Sequence, residues 1–501
     1  MRRLQSIAIA ILLCVSAART VSGQASDALA ARASEGAAAM QASRFDEAAA
    51  IYAELVNARP GDAGLLLNLG MARYMAGHPT EAVAPLQKAV TLNPSLAPAS
   101  LFLGASLLDL GRAKEAVPPL QKAVAAMPAN AEAREMLARG QLMLSRFTNA
   151  AASYRTLASL QPQNPKAWYG IVRSYEGLSE EQLAALQREA PDSPLLELLV
   201  ADVAVSQEKF PGALAIYRRV LAKPPVGGLH EAVADLYDRA GKADWASIER
   251  RKAEVRSPAR CTARPGECEF LEGRYREAVT LGLRAATLQG RYWAIRAANR
   301  LAIEALAHLE TLPPSVELHL IKAEIAQSRG SYPDAVREVR EALTLAPGNP
   351  VIETALAEAL LRARNLDESL PMLDRLMRAN PEDPGLLLMY GDALVEHQEL
   401  EKAIPVLEAA VKADPGVLPA RASLGRAYVQ AGRYADALPH LEASAAVDET
   451  GDVHFQLARA YQALQRPDDA RKAMAEYQKR HHDEAGEPPT EKKEEALAPP
   501  E

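Results

Sequence analysis

Aromatic residues make up only 5% of the 501-residue chain, and there are three cysteines. So few large rings do not suit a β-sandwich core, while an alanine-rich chain suits closely packed helices. Net charge is −7, so the chain has no excess of positive charge. A nucleic-acid partner would call for a basic stripe, so none is expected. No run reaches the roughly 18 apolar residues needed to span a bilayer as a helix. Catalytic signatures are missing too. There is no phosphate-binding G-x-x-x-x-G-K-[ST] loop, no H-E-x-x-H pair, no G-x-S-x-G elbow and no EF-hand loop. The nine histidines are scattered, with only His481 and His482 adjacent. Nothing invites an enzyme, a cofactor or a metal.

What the chain does have is a repeat. Pro60, Pro94, Pro128 and Pro162 stand 34 residues apart. Between them, Leu69-Gly70, Gly77, Ala82, Leu86 and Ala89 return as Leu103-Gly104, Gly111, Ala116, Leu120 and Ala123. The apolar positions follow helical spacing. Each unit therefore reads as two helices broken at glycine and ended at proline. Small residues at the crossing allow close approach. That role is expected of Gly70 with Ala82, Gly104 with Ala116, Gly391 with Ala403, and Gly425 with Ala437. Phase returns late in the chain at Pro347, Pro381 and Pro415.

These residues resemble the tetratricopeptide repeat, whose pattern runs W-x2-L-G-x2-Y, A-x3-F, P. Trp168, Ile171, Val172 and Tyr175 approximate its opening; Ala150, Tyr154 and Pro162, and Ala213, Tyr217 and Pro225, match its second half. The resemblance implies an all-α solenoid of stacked antiparallel helix pairs, about a dozen or more repeats. The domain reading is 28–162 for an N-terminal block, 163–315 for divergent helical repeats, 316–480 for a C-terminal block and 481–501 for a polar, disordered tail. Within the divergent part, 165–191 reads as a shortened repeat with its second helix near 181–189. Residues 291–309 read as one amphipathic helix without an assignable partner. Prolines at 85, 118, 119, 371, 405 and 439 are expected near helix starts, where a missing N–H matters little.

Residues 1–23 have the form of a secretory signal, with Arg2-Arg3, an apolar run and small residues before Gln24. A bacterial periplasmic or secreted location is therefore expected, with membrane association only if the signal is retained. In such a compartment Cys261 and Cys268 could form a disulfide, since Pro265-Gly266 breaks any helix between them. Metal binding is the alternative, with no further cysteine or clustered histidine nearby.

The resemblance implies a binding function with a protein or extended peptide in the concave groove. Carried over by position, that groove would show Leu67, Met71, Tyr74, Met75, Leu101 and Leu108 early in the chain. Late in the chain it would show a column of Glu324, Glu358 and Asp392, followed by Arg426 and Arg459. The alternatives are that the apolar set packs against neighbouring helices and that the charged set is a solvated face. Two further readings are an assembly factor of a cell-envelope or polysaccharide-export machine, with a glycan ligand, and an enzyme hidden in the irregular middle.

Overall fold

The computed structural model describes residues 23–222, 228–253, 261–262, 264–414, 416–448, 450–484 and 497–500. The expected signal segment up to Ser22, and Pro225 and Pro415 of the repeat pattern, lie outside the described residues. Among the described residues there are helices and no strand. In chain order they are α1 Gly23–Gln41, α2 Phe45–Ala58, α3 Ala63–Met75, α4 Pro79–Leu92, α5 Ala97–Asp109, α6 Ala113–Ala126, α7 Ala131–Met143, α8 Phe147–Leu160, α9 Pro165–Glu189, α10 Pro194–Ser206, α11 Phe210–Leu221, α12 Leu229–Arg239, α13 Ala243–Lys252, α14 Glu267–Leu271, α15 Tyr275–Ala285 and α16 Leu288–Glu310. Then come α17 Val316–Ser328, α18 Tyr332–Leu345, α19 Pro350–Arg362, α20 Leu366–Ala379, α21 Pro384–Glu396, α22 Leu400–Ala413, α23 Leu418–Gln430, α24 Tyr434–Ser444, α25 Asp452–Ala463 and α26 Pro467–Glu484. The chain divides into two compact units, Met1–Leu312 with Glu494–Glu501, and Pro313–Lys493.

In the first unit α1 to α8 pack in sequence, each helix on the next. Local signals set the ends. Asp62 caps α3 by accepting from the Gly64 and Leu65 amides, and Asn130 caps α7 through the Ala133 amide. Each pair turns through one left-handed residue. Glycine does this at Gly77 and Gly111, but Ser145 adopts the same conformation at φ 54°. The small-residue contact is more specific than the expected pairing with alanine. Leu86 lies directly over Gly70, where an added Cβ would sit 2.3 Å from its Cγ, and Leu120 covers Gly104 at 2.4 Å. Both leucines are fully buried, and burying one contributes about 1.5–3 kcal/mol.

The prolines are a correction. Pro85, Pro118 and Pro119 lie inside α4 and α6 rather than in the first turn. Each removes a ladder donor, yet the helices continue through them.

The middle is also corrected. α9 is one continuous helix, with no turn before residues 181–189. It packs antiparallel against α16, the helix the sequence left unpartnered. Arg291 of α16 donates to Gln182 at 2.7 Å and pairs with Glu189 at 2.8 Å, while Trp168 and His308 stack at 3.7 Å between centroids. Cys261 and Cys268 form a disulfide with Cα atoms 5.5 Å apart.

The second unit repeats the regular scheme from α17 to α26. Leu407 covers Gly391 and Leu441 covers Gly425, with hypothetical Cβ contacts of 2.5 Å. Of the tail expected at 481–501, residues 485–496 and 501 lie outside the described residues. α26 runs to Glu484, and Leu497 and Ala498 pack on the core of the first unit.

Candidate functional site

The expected apolar groove does not exist as an open surface. Leu67, Met71, Met75, Leu101 and Leu108 are all buried, at 0–8% exposure. They fill the space between neighbouring repeats, because α3 and α5 are apolar on nearly every side. Tyr74 is half-buried and donates to Asp109 at 2.8 Å. Burial, reinforced by Asp109, pushes its phenol up. A double Leu67→Asp, Met71→Asp substitution would thus attack the core rather than a binding surface.

The charged column is broken into local pairs. Glu358 is held by Arg362 one turn on, at 3.0 Å. Asp392 accepts from Arg426 of the following repeat at 2.7 Å. Burial pushes Asp392 up from the usual carboxylate range, although Arg426 and Ser423 favour its charged form. Glu324 and Arg459 are exposed. Within the column, Asp392 and Arg426 thus neutralise each other between successive repeats.

A concave feature lies where the repeat is lost. Between α9, α16 and the shorter helices lies a cleft of about 370 Å³, lined by α9, α10, α11, α12, α14 and α16. That volume lies within the roughly 300–1,000 Å³ range of ligand pockets. Arg296 is its central charge. Its Nε stands 2.8 Å from Oδ2 of Asp202 and its Nη2 3.2 Å from Oδ1, a two-point pair. The guanidinium lies 4.7 Å from the Phe270 ring, 5.1 Å from Trp293 and 5.5 Å from Tyr292. Burial opposes the charge of Arg296, but Asp202, Tyr292, Tyr217 and Asp235 outweigh it and raise the pKa. Tyr217 donates to Asp202 at 2.9 Å, and burial pushes both tyrosine phenols upward.

Around this centre, Asp235 is flanked by Arg239 at 3.2 Å and Arg300 at 3.5 Å. At the cleft, Val203 and Ile303 are each more than half exposed. The arrangement combines apolar contact area with fixed, paired charges. Its charged groups Asp202, Arg296, Asp235, Arg239 and Arg300 are paired with one another. Sequence reasoning missed every one of these cleft residues. The only signal was the Tyr292-Trp293 pair on an amphipathic helix without a partner.

Among the described residues, no three His, Cys, Asp or Glu side chains are placed to hold a metal ion, and no helix is long and apolar enough to cross a membrane.

The chain has likenesses among known proteins. Bacteriophage adsorption protein A of Escherichia coli (strain K12) is 30% identical over 102 residues, covering 19% of this chain and 10% of that protein. The chain thus spans a tenth of that relative's length. Similar solved structures include MamA 41-end from Desulfovibrio magneticus RS-1, at 19% identity over 34% of this chain and 97% of that one, with a TM-score of 0.30. A tetratricopeptide repeat protein from Parabacteroides merdae ATCC 43184 is 12% identical over 67% and 99%, with a TM-score of 0.30. The Cut9–Hcn1 hetero-tetramer of the APC/C is 15% identical over 95% and 96%, with a TM-score of 0.33. At these scores the likenesses carry no argument. Two family models show the family: one tetratricopeptide repeat model matches residues 23–97, 101–165, 135–197 and 354–417, and a second matches 394–450 and 428–486. With the period, the glycine–leucine contacts and these matches in agreement, the chain belongs to the tetratricopeptide repeat family.

Proposed function

We propose that this protein is an exported, non-enzymatic scaffold that captures a protein partner in the cleft lined by α9, α10, α11, α12, α14 and α16. Tetratricopeptide repeats generally bind proteins, and the cleft is the place where regular stacking gives way to a shaped opening. The observation that carries this reading is the exposure of Val203 and Ile303 beside the half-buried Asp202–Arg296 pair. An apolar side chain of the partner docks on the two aliphatic residues. The paired charges fix its register rather than supply much affinity. Export rests on the residue pattern of 1–23, and mass measurement of the chain recovered from the periplasm tests it.

Photo-crosslinking residues placed at 203 and 303 test the cleft in cells. The expected result is one protein captured from both positions, and lost when Arg239 or Arg300 is reversed in charge. No capture at either position, with capture from exposed Glu324 or Arg459 instead, would move the site to the second unit and refute the assignment.

A further inference from the structure

Two donors on α11 and α12 converge on a short extended segment from far along the chain. Tyr237 donates its hydroxyl to the Ala498 carbonyl at 2.8 Å, and Arg218 donates to the Pro499 carbonyl. Leu497 and Ala498 are half-buried against the core of the first unit. Tyr237 is fully buried, and its ring meets Trp245 edge-on at 5.5 Å, so the position of its hydroxyl is fixed.

We propose that the surface around Arg218 and Tyr237 is a recognition site for an extended, proline-bearing segment, and that Leu497–Pro500 is its ligand in cis. Both donors address backbone carbonyls, the hydrogen-bonding groups that proline retains. Ala498 and Pro499 each precede a proline, which disfavours helical backbone and favours an extended one. A segment already extended loses little freedom on docking. Charge supports the match. Glu494, Glu495 and Glu501 flank the segment in sequence, and Arg218 is the cation that reaches it. The tethered ligand presents itself at an effective concentration on the order of mM. A partner bearing a similar acidic Leu-Ala-Pro-Pro sequence must displace it, so the site is closed until such a competitor arrives. The surface is separate from the cleft, and neither reading depends on the other.

The test uses the full chain and a fluorescein-labelled synthetic peptide of residues 494–501, read by anisotropy. Wild type should bind the peptide weakly. Leu497→Asp, which releases the cis segment, should tighten binding at least tenfold. Adding Arg218→Ala or Tyr237→Phe to the released chain should weaken it at least tenfold, with unchanged helical circular dichroism. Equal binding by wild type and the Leu497→Asp chain would overturn self-occupancy. Binding indifferent to both Arg218→Ala and Tyr237→Phe would overturn the site. Sedimentation separates the source of the ligand: monomers in wild type support docking in cis, whereas a dimer dissolved by Leu497→Asp would assign the segment to a second copy and overturn the cis proposal.

Discussion

Gly104→Ala tests the packing rule on which the repeats depend. In an exposed helix interior this change stabilises by about 1 kcal/mol, because glycine has the greater freedom to lose. At residue 104 the new Cβ would sit 2.4 Å from Cγ and 2.6 Å from Cδ2 of Leu120. Ordinary contact begins near 3.4 Å, so about 1 Å of overlap must be relieved. Leu120 is fully buried and has no room to swing clear. Overpacking of this kind costs about 1–3 kcal/mol, leaving a net loss of up to about 2 kcal/mol after the propensity gain. Gly212 is the control: it is helical and exposed, and nothing lies within 4 Å of its hypothetical Cβ. Gly212→Ala should stabilise by up to about 1 kcal/mol. A cycle with Leu120→Ala isolates the clash. Leu120→Ala alone should cost about 2–5 kcal/mol, and appreciably less in the Gly104→Ala background, where it removes the overlap. Urea midpoints of the four chains and the control measure this. If Gly104→Ala stabilises as much as Gly212→Ala, or its effect adds to that of Leu120→Ala without coupling, the contact is not the one described.

The remaining predictions concern charge and crosslinking. Arg296→Met should cost about 3 kcal/mol by leaving Asp202 without its counter-ion, whereas Arg296→Met with Asp202→Leu should return to within about 1 kcal/mol of wild type by urea unfolding. Asp448 should make the second unit acid-sensitive. Burial alone would raise its pKa, but bonds donated by the His454 amide and ring and the Val453 amide lower it overall. A carboxylate depressed in the fold stabilises above its unfolded pKa of about 3.9 and loses that contribution as pH falls through the folded value. Helical signal should therefore fall below pH about 4 in wild type, and Asp448→Asn should be weaker at neutral pH with a flatter acid limb. Reducing the Cys261–Cys268 bridge should cost about 2.5 kcal/mol, the chain-entropy value for a loop of about eight residues. Melting with and without reductant, against a Cys268→Ser chain, checks it.

How much was legible in the sequence depended on the distance over which each contact is encoded. Gly70 and Leu86 lie within one repeat, so their recurrence with period 34 announced the helix pairs, although the glycine was matched with Ala82 when Leu86 occupies it. The groove residues were misread for a related reason. Position within the unit places a side chain on the first helix, but neighbouring repeats decide whether it is open. Leu67 and Met71 belong to a helix whose faces are nearly all apolar, and an all-apolar helix is a buried one. The charged column failed on the same ground, since Asp392 and Arg426 stand one repeat apart and meet across the repeat boundary.

The middle was illegible because its contacts leave no period. α9 contains Gly177 where a helix break is expected, and a glycine there invites a turn. Instead Gly177 makes room for Phe147, whose ring would lie 2.2 Å from an added Cβ. With its glycine used for packing, the helix has no break and runs for 25 residues. A helix that long exposes more apolar surface than a partner of 14 residues, such as α8, can cover. The chain supplies α16, of 23 residues, but only after the shorter helices α10 to α15 have intervened. Arg291 and Gln182 meet from 109 residues apart. The shorter helices must then lie beside a helix pair longer than themselves, and the mismatch in length leaves the space in which Arg296 and Asp202 face each other. Loss of the 34-residue phase and formation of the cleft thus have the same physical origin. Returning a left-handed turn at Gly177 would remove both.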